Sequence, residues 1–383
     1  MILQYTHASG SGAARYVAAL SSALARRGLQ VRLICPSDFA YRSMVMNAGV
    51  TSVPSAHSLA GARGRVAKAR RSLRQTMSGA FAVMHSRERL VHVNFPGIAI
   101  LAVALVATFR LLGKTVVLTV HDVVPHRPVF GPGGQWLERR MLRQLYALPA
   151  HLVVHDLSAE AQLTGEFNIP RDRISRIPHG VDVVVAAPAP GDNGLAALRL
   201  ALVGSLRENK GVDLAIAAVQ RLRAEGMPVE LTIAGAANPS ESPYWIDCQQ
   251  AIARKPDGIS VMNRFLSDED VGRIMSESDA ILLPYRSFAS QSGIAVQSLA
   301  SGRPILATAQ GGLAELLAES GAGIAIEDGT VEAVMAAIRQ AHSIGTDGLA
   351  NMGRAGLSYA QQHLAWDRVA AMHEDLYQRL LAH

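Results

Sequence analysis

Short apolar runs alternate with amphipathic stretches along most of this chain of 383 residues. Such runs, bounded by Gly and Pro, predict strands, and apolar positions spaced three and four apart predict helices. The predicted strands are 2–7, 29–35, 89–97, 114–122, 199–204, 229–235, 259–263, 280–285 and 304–308. Residues 151–182 are predicted to form a further strand–helix–strand unit. Strands that alternate with helices are typical of parallel α/β sheets. The pattern therefore predicts an α/β protein built from repeated βαβ units.

Length and composition predict more than one domain. A chain of 383 residues is longer than the ~250–300 residues at which single hydrophobic cores stop growing. A stretch rich in Pro, Gly and Ala at 183–194 interrupts the alternation and is typical of a linker. We therefore expect one domain at 1–184, a second at 195–362, and a final amphipathic helix at 363–383.

The charge of the chain is unevenly distributed. Residues 1–180 hold 22 Lys and Arg against 8 Asp and Glu, whereas residues 181–383 hold 15 against 23. A basic half could meet nucleic acid, an anionic membrane or an anionic acceptor. No helix-turn-helix, zinc or RNP-like pattern is present, so no nucleic-acid partner is expected.

The remaining bulk features predict a cytoplasmic location. The longest apolar run, 97–109, is shorter than the ~20 residues that span a bilayer, so we expect a buried helix there. Cys35 and Cys248 lie in different halves, which suits a reducing compartment. The first residues show no basic leader followed by an apolar core.

Segment 61–89 is strongly basic, with apolar Val66, Ala69 and Leu73 at helical spacing. One interpretation is a solvated surface helix. The other is a basic amphipathic face that lies on an anionic bilayer, where each cation adds about 1 kcal/mol. The second interpretation would place the protein at the inner face of a membrane.

Two strand-to-helix turns in the second half are suited to an anion. Ser292 and Gly293 open a helix whose first turn presents free backbone N–H groups, and the helix dipole adds roughly half a positive charge there. Arg207 and Lys210 lie on an earlier turn between Gly204 and a helix. A guanidinium fork and an ammonium fit a diphosphate. Taken separately, an ordinary helix cap and solvated cations would explain the same residues.

Together these turns resemble the donor half of a retaining, nucleotide-sugar-dependent glycosyltransferase of the GT-B fold, family 4. That family has a G-x-x-R-x-x-K-G loop for the donor phosphates, matched by Gly204, Arg207, Lys210 and Gly211. It also has a sugar-binding turn, whose Q-S-G variant matches residues 291–293. The resemblance implies two Rossmann-like domains facing across a cleft, an N-terminal one for the acceptor and a C-terminal one for the donor. It further implies a final helix that crosses back to the first domain.

The resemblance also implies roles for individual residues. Arg207, Lys210 and His121 are the predicted catalytic residues; His121 begins a segment like the family's H-D-x-x-P-H, whose His lies against the transferred sugar. The predicted donor-binding residues are Gly12, Arg207, Lys210, Arg264, Ser292, Gly293, Ile294, Gln297 and Glu315. The predicted acceptor-binding residues are Arg15, His92 and Asn94.

Some of these residues have structural alternatives. A lone His is usually structural. His121, however, lies at the carboxyl end of a predicted strand, which is where ligand-binding groups gather in a parallel sheet. Glu315 fits the family's G-G-x-x-E but equally a helix-start acid. The acids at 268–270 imitate a D-x-D metal site, yet Ser267 before them indicates a helix cap, so no metal is expected. No cofactor is expected besides the nucleotide sugar.

One family feature is missing. Many members carry two glutamates eight positions apart around the sugar turn, where this chain has Ala289 and Gln297. Gln297 can donate and accept hydrogen bonds but supplies no charge. Some members with the Q-S-G turn also lack that pair.

The sequence therefore favours a retaining hexosyltransferase that uses a nucleotide diphosphate sugar and a glycan or polyprenyl-linked acceptor, in polysaccharide or glycoconjugate synthesis. A non-catalytic scaffold protein of the same fold is one alternative, and a UDP-sugar 2-epimerase is another. A nicotinamide enzyme is the weakest, because Arg15 occupies the third glycine position of the dinucleotide fingerprint.

Overall fold

A computed structural model describes residues 1–10, 12–59, 64–124, 134–183, 197–237, 242–286 and 291–382. The chain forms two compact units. The first comprises residues 1–180 and the chain from Trp366 onward, and the second comprises Val181–Ala365. Apart from Val183, the predicted linker at 183–194 lies outside the described residues.

The first unit is a parallel sheet of seven described strands with helices on both faces. Its strands are β1 (Ile2–Thr6), β2 (Val31–Pro36), β3 (Thr51–Ser55), β4 (Leu90–Phe95), β5 (Thr115–Thr119), β6 (His151–Val154) and β7 (Ile174–Arg176). Its helices are α1 (Gly12–Arg26), α2 (Arg42–Asn47), α3 (Arg65–Met84), α4 (Ala99–Leu111), α5 (Gln135–Ala147), α6 (Leu157–Phe167) and α13 (Trp366–Ala382). The strand order is β3-β2-β1-β4-β5-β6-β7.

The second unit repeats this arrangement with six described strands, all parallel. Its strands are β8 (Leu198–Val203), β9 (Val229–Ala234), β10 (Ile259–Met262), β11 (Ala280–Leu283), β12 (Ile305–Thr308) and β13 (Gly323–Ile326). Its helices are α7 (Val212–Ala224), α8 (Ser242–Arg254), α9 (Asp268–Glu277), α10 (Gly293–Ala300), α11 (Gly311–Ser320) and α12 (Val331–Tyr359). The strand order is β10-β9-β8-β11-β12-β13. Both sheets confirm the predicted α/β class.

Each sheet is buried on both faces, as parallel sheets require. In the first unit, α1 and α13 contribute Leu20, Leu24, Val369 and Leu376 to one core cluster. Helices α4, α5 and α6 form the opposite cluster, which is centred on β4 and β5. The final helix therefore belongs to the first unit, where it packs against α1.

The apolar run at 97–109 forms helix α4, with Leu105 and Phe109 buried. None of the helices in the described part of the chain combines the length and the apolarity needed to cross a bilayer.

Helix α3 has its polar and apolar faces reversed relative to an ordinary surface helix. Its buried side chains include Ser72, Gln75 and Thr76, and Gln75 donates a hydrogen bond to the His7 carbonyl at 3.0 Å. Apart from the buried Val83, its large apolar side chains point outward. Their exposed fractions are Val66 72%, Leu73 48%, Met77 63%, Phe81 63% and Met84 53%.

A pair of helical glycines tests this packing. A Cβ at Gly79 in α3 would lie 2.2 Å from the Tyr5 hydroxyl, whereas a Cβ at Gly165 in α6 meets nothing within 4 Å. Gly165→Ala should raise the free energy of unfolding by about 1 kcal/mol through helix propensity. Gly79→Ala should lower it by about 2 kcal/mol, because overpacking outweighs that gain. Urea unfolding of the two variants measures both changes, and an equal shift in the two would contradict the packing of α3 against β1.

Candidate active site

The strand order of the second unit creates a crevice between β8 and β11. From β8 the chain builds the sheet outward through β9 and β10, and then returns to add β11 on the other side of β8. In open α/β sheets, ligands bind outside the carboxyl ends of the strands at such a reversal. The segments that follow the two strands are 204–211 and, among the described residues, 284–286 and 291–293. They contain four of the nine predicted donor-binding residues, Arg207, Lys210, Ser292 and Gly293.

Close backbone contacts fix the loop after β8. Gly211 has φ 63°, and a Cβ there would lie 2.0 Å from the Pro284 carbonyl oxygen. Gly235, with φ 146°, approaches the Gly204 carbonyl so closely that a Cβ would lie 1.7 Å from its oxygen. Only glycine meets both demands, the positive φ and the missing side chain. The loop is therefore held against the end of β11 by its main chain.

Tyr285 lies at the centre of the crevice, and the sequence analysis did not single it out. The Lys210 ammonium lies 3.6 Å from the centroid of its ring. Its hydroxyl lies 3.4 Å from the Ser292 hydroxyl, which caps α10 by accepting a hydrogen bond from the Ala295 N–H at 3.4 Å. Burial raises the pKa of Tyr285 to about 12, so the phenol stays neutral. The signal for Tyr285 was its place two residues beyond a buried strand.

The Arg207 side chain carries a buried hydrogen-bond donor, its Nε, which has no hydrogen-bond partner among the described residues. Its charge also acts on the Tyr285 phenol, which places the guanidinium near that ring. A buried donor without a partner costs ~1–3 kcal/mol, so an arriving acceptor would be bound favourably.

A separate ion pair holds the outer side of this loop. Arg286 donates to both carboxylate oxygens of Asp213 at 2.8 and 2.7 Å, and the Tyr244 hydroxyl donates to the same carboxylate at 2.7 Å. The Arg286 N–H donates to the Asn209 carbonyl at 2.9 Å. Partial burial alone would raise the pKa of Asp213. The hydrogen bonds from Arg286 and Tyr244 together lower this pKa by more, so it lies below its ordinary value.

The structure thus gathers one subset of the predicted donor residues. Arg207, Lys210 and Ser292 surround Tyr285, and Ile294 lies against Gly204, since a Cβ at Gly204 would be 3.9 Å from its side chain. Gly293 is exposed at the start of α10, and Gln297 lies one turn further along the same helix.

Two other predicted donor residues lie on different elements. Arg264 follows β10, two strands away from β8, and its guanidinium donates to both oxygens of Asp270 at 2.6 Å. Glu315 lies in α11, which begins at Gly311. Because β12 neighbours β11, Glu315 belongs to the strand–helix unit next to the crevice.

The acids at 268–270 confirm the predicted helix cap. Ser267 accepts a hydrogen bond from the Asp270 N–H, and the Asp270 side chain accepts one from the Ser267 N–H, which together form a capping box. This arrangement explains the D-x-D spacing without a metal.

In the first unit, His121 lies two residues beyond the end of β5, in a cluster of aromatic side chains. The Tyr16 ring on α1 contacts His121, His155, His179 and Trp366 at centroid distances of 4.9, 5.3, 5.0 and 5.5 Å. The three histidines follow β5, β6 and β7, so they share the carboxyl edge of the sheet. Of these three, only His121 is predicted from the sequence to be functional. A His just past each of three strands was the signal that this prediction missed.

Gly12 and Arg15 lie at the beginning of α1, after β1. Gly12 is exposed at the first position of the helix, and Arg15 is partly buried immediately before Tyr16. Their roles remain predictions. The predicted neighbours of His121 at Pro125 and His126 lie outside the described residues, as does Ala289.

His92 and Asn94 contradict the prediction that they bind an acceptor. Both have no exposed surface. His92 lies 2.6 Å from the Tyr377 hydroxyl and 2.7 Å from the Thr119 hydroxyl, and Asn94 donates to Gln4 at 2.6 Å. Strand β4 runs to Phe95, so both residues lie inside the strand. Helix α13 covers them, and they fasten it to the sheet.

The two halves of the chain match two family descriptions. Residues 10–185 match Glycosyltransferase Family 4, and residues 197–343 match Glycosyl transferases group 1. The D-inositol 3-phosphate glycosyltransferase of Arthrobacter sp. (strain FB24) is 25% identical over an alignment of 310 residues, which covers 76% of this chain and 71% of that protein. The MMP alpha-(1->4)-mannosyltransferase of Mycolicibacterium hassiacum is 26% identical over an alignment of 288 residues, which covers 71% of this chain and 67% of that protein.

Solved structures share the fold over the whole chain. HepE of Anabaena in complex with UDP-glucose superposes with a TM-score of 0.77 at 14% identity and covers 99% of both chains. Sucrose-phosphate synthase of Thermosynechococcus elongatus gives a TM-score of 0.81 at 16% identity, covering 100% of this chain and 99% of the other.

Buried histidines should make the first unit sensitive to acid. Burial lowers the pKa of each from 6.5, to about 4 for His7, His151 and His373 and to about 3 for His121 and His179. The unfolded chain takes up protons near pH 6.5, whereas the folded chain does so only near pH 4 or 3. The free energy of unfolding should therefore fall as the pH drops below 6.5, by ~2 kcal/mol per histidine at pH 5. Urea unfolding at pH 7.5 and 5.0 measures this. The drop should be smaller in the His151→Gln, His373→Gln double variant, and an equal or larger drop there would contradict the assignment.

Proposed function

The chain belongs to glycosyltransferase family 4, and from this premise we propose that it transfers a hexosyl unit from a nucleotide diphosphate sugar with retention of anomeric configuration. The acceptor in this proposal is a glycan or a polyprenyl-linked sugar in polysaccharide or glycoconjugate synthesis. HepE forms a complex with UDP-glucose, and the Mycolicibacterium hassiacum relative is a mannosyltransferase by its name, so UDP- and GDP-hexoses are the first donors to examine.

The observation that carries the proposal is the cationic crevice around Tyr285. Arg207 has a buried Nε without a partner among the described residues, Lys210 lies over the ring, and Ser292 caps a helix whose N-terminus opens beside them. A diphosphate would supply oxygen acceptors to all of these donors at once.

These groups would act mainly on the leaving group. As the bond from the anomeric carbon to the diphosphate oxygen breaks, negative charge grows on the diphosphate, and fixed donors stabilise it. The acceptor oxygen forms the new bond to the anomeric carbon on the same face, and its proton passes to the leaving phosphate oxygen. This route requires no side-chain nucleophile, which agrees with Gln297 in place of a glutamate. His121 would position a hydroxyl of the transferred sugar.

Removing both cations tests the donor site. Arg207→Ala with Lys210→Ala should lower the transfer rate by at least ~10²-fold, the usual effect of losing one such donor. It should also abolish thermal stabilisation by UDP, GDP or ADP, which for the wild type is about 2.7 kcal/mol at 100 times the dissociation constant. Product analysis and nucleotide release, with UDP-, GDP- and ADP-hexoses, measure transfer.

The matched control removes two cations elsewhere in the second unit. Arg221 and Arg339 form exposed ion pairs with Glu332 and Glu225, so Arg221→Ala with Arg339→Ala changes the net charge equally. Transfer should be unchanged in that control. Wild-type protein that binds nucleotide but turns over no sugar would favour the scaffold alternative, and a free epimerised sugar nucleotide would favour the epimerase.

We further propose that the protein works at the cytoplasmic surface of an anionic membrane through α3. The outward row of Leu73, Met77 and Phe81 could enter the interface between headgroups and acyl chains. Arg70 and Arg74 are exposed on the same helix and could pair with lipid phosphates. A lipid-linked acceptor would be presented at such a surface.

Vesicle binding tests this location. Met77→Gln with Phe81→Gln, and separately charge reversal at Arg70, Arg71 and Arg74, should each lower co-sedimentation with phosphatidylglycerol vesicles at least tenfold, since each cation adds ~1 kcal/mol. Ile246→Gln, an exposed apolar position of the second unit, serves as the control and should bind normally. Unchanged binding of both α3 variants would exclude this face as the membrane contact.

A further inference from the structure

His121 is the end of a chain of hydrogen bonds that begins at a backbone carbonyl. The His155 Nδ1 lies 2.9 Å from the Ile177 carbonyl oxygen, and the His155 Nε2 lies 3.1 Å from the His121 Nδ1. His155 is 5% exposed, and the His121 Nε2 is buried without a hydrogen-bond partner among the described residues. His155 comes immediately after β6, and the proposed reaction does not use it directly.

The direction of this chain follows from its fixed end. A carbonyl only accepts, so the His155 Nδ1 carries the proton. In a neutral imidazole the other nitrogen then has only a lone pair, so the His155 Nε2 accepts from the His121 Nδ1–H. The same rule leaves the His121 Nε2 as a bare lone pair, which can accept a hydrogen bond but cannot donate one.

The surroundings keep both rings neutral, as this assignment needs. Tyr16 packs edge-on against His121, with the ring planes at 90°, and also contacts His155. Burial lowers the pKa of both histidines, and for His121 it lowers it to about 3. His179 adds no proton to the chain, because its own Nδ1 lies 2.8 Å from the Gly180 carbonyl.

We infer that His155 is a positioning residue: it fixes His121 in the Nδ1–H tautomer, so that the His121 Nε2 accepts a hydrogen bond from a hydroxyl of the reacting sugar. That this hydroxyl belongs to a sugar rests on the proposed function, whereas the tautomer of His121 does not. With the opposite tautomer, His121 would present an N–H and would bind an oxygen lone pair instead. His155 therefore determines which kind of group His121 recognises.

Two variants of His155 separate positioning from bulk. The shorter amide of His155→Asn can keep the bond to the Ile177 carbonyl but does not reach the His121 Nδ1. The amide oxygen of His155→Gln can take the place of Nε2 as the acceptor. Nitrogen-15 spectra of the imidazole rings at pH 7.5 should show His121 protonated at Nδ1 in the wild type and in His155→Gln. In His155→Asn they should show a substantial Nε2–H population.

Kinetics give the second readout. His155→Asn should lower the transfer rate about tenfold or more, as loss of an orienting outer partner commonly does, while the affinity for UDP alone changes less than twofold. His155→Gln should recover most of the rate. His151→Asn is the matched control, because His151 is also buried and begins β6, at the end of the strand opposite to His155, where it lies 2.8 Å from the Ser175 hydroxyl. It should change neither readout.

The outcomes separate this inference from the proposed function. If the wild type transfers no sugar, the proposed function fails, but the spectra still test the tautomer. If His121 keeps its Nδ1–H form in folded His155→Asn, the inference is wrong, whatever happens to the rate. If the tautomer changes and the transfer rate does not, the positioning role is wrong.

Discussion

The contact between the main chains at Gly211 and Pro284 determines where the cations of the second unit lie. Gly211 belongs to the loop after β8, and Pro284 directly follows β11, so their contact fastens together the two sides of the crevice. Lys210 precedes the one and Tyr285 follows the other, which brings the ammonium onto the ring. The ion pair between Arg286 and Asp213 fixes the outer side of the same contact.

Such a constraint is needed because the groups it gathers repel one another. A guanidinium, an ammonium and the positive end of a helix would separate if the loop were free to move. The neutral Tyr285 ring offsets part of this repulsion through its contact with Lys210, a cation–π interaction of ~0.5–2 kcal/mol. The buried Nε of Arg207 remains without a partner among the described residues. The backbone thus holds a cluster of positive charge in place before any anion arrives, which is the preorganisation that electrostatic catalysis requires.

This part of the protein could be predicted from the sequence because the constraint requires glycines at particular positions. Gly204 and Gly211 mark a turn that other residues rarely form, and the apolar strands before such turns are central to the sheet. The strands that the pattern did not predict, β3 and β13, are both edge strands. An edge strand is only half covered, so its residues need not form a long apolar run, and β3 even contains Pro54.

The roles of residues in the first unit were harder to predict, because they depend on where a strand ends. His92 and Asn94 lie within β4 and are covered by α13, whereas His121 lies two residues past β5, at the open edge. A difference of two or three residues in a boundary decides between a core residue and a site residue, and the apolar pattern does not resolve it. The same dependence on strand ends applies to His155 and His179, which lie just past the ends of β6 and β7.

Helix α3 shows why periodicity alone cannot give the orientation of a helix. Its apolar row has the spacing of a core-facing stripe. The sheet instead packs against the face that carries Gly79, because the missing side chain there leaves room for Tyr5. Gln75 confirms that choice by bonding the His7 carbonyl. The apolar row must then face outward, next to Arg70 and Arg74. An exposed row of this size is unfavourable in water, and its position beside two cations is the observation on which the proposed contact with a lipid surface rests.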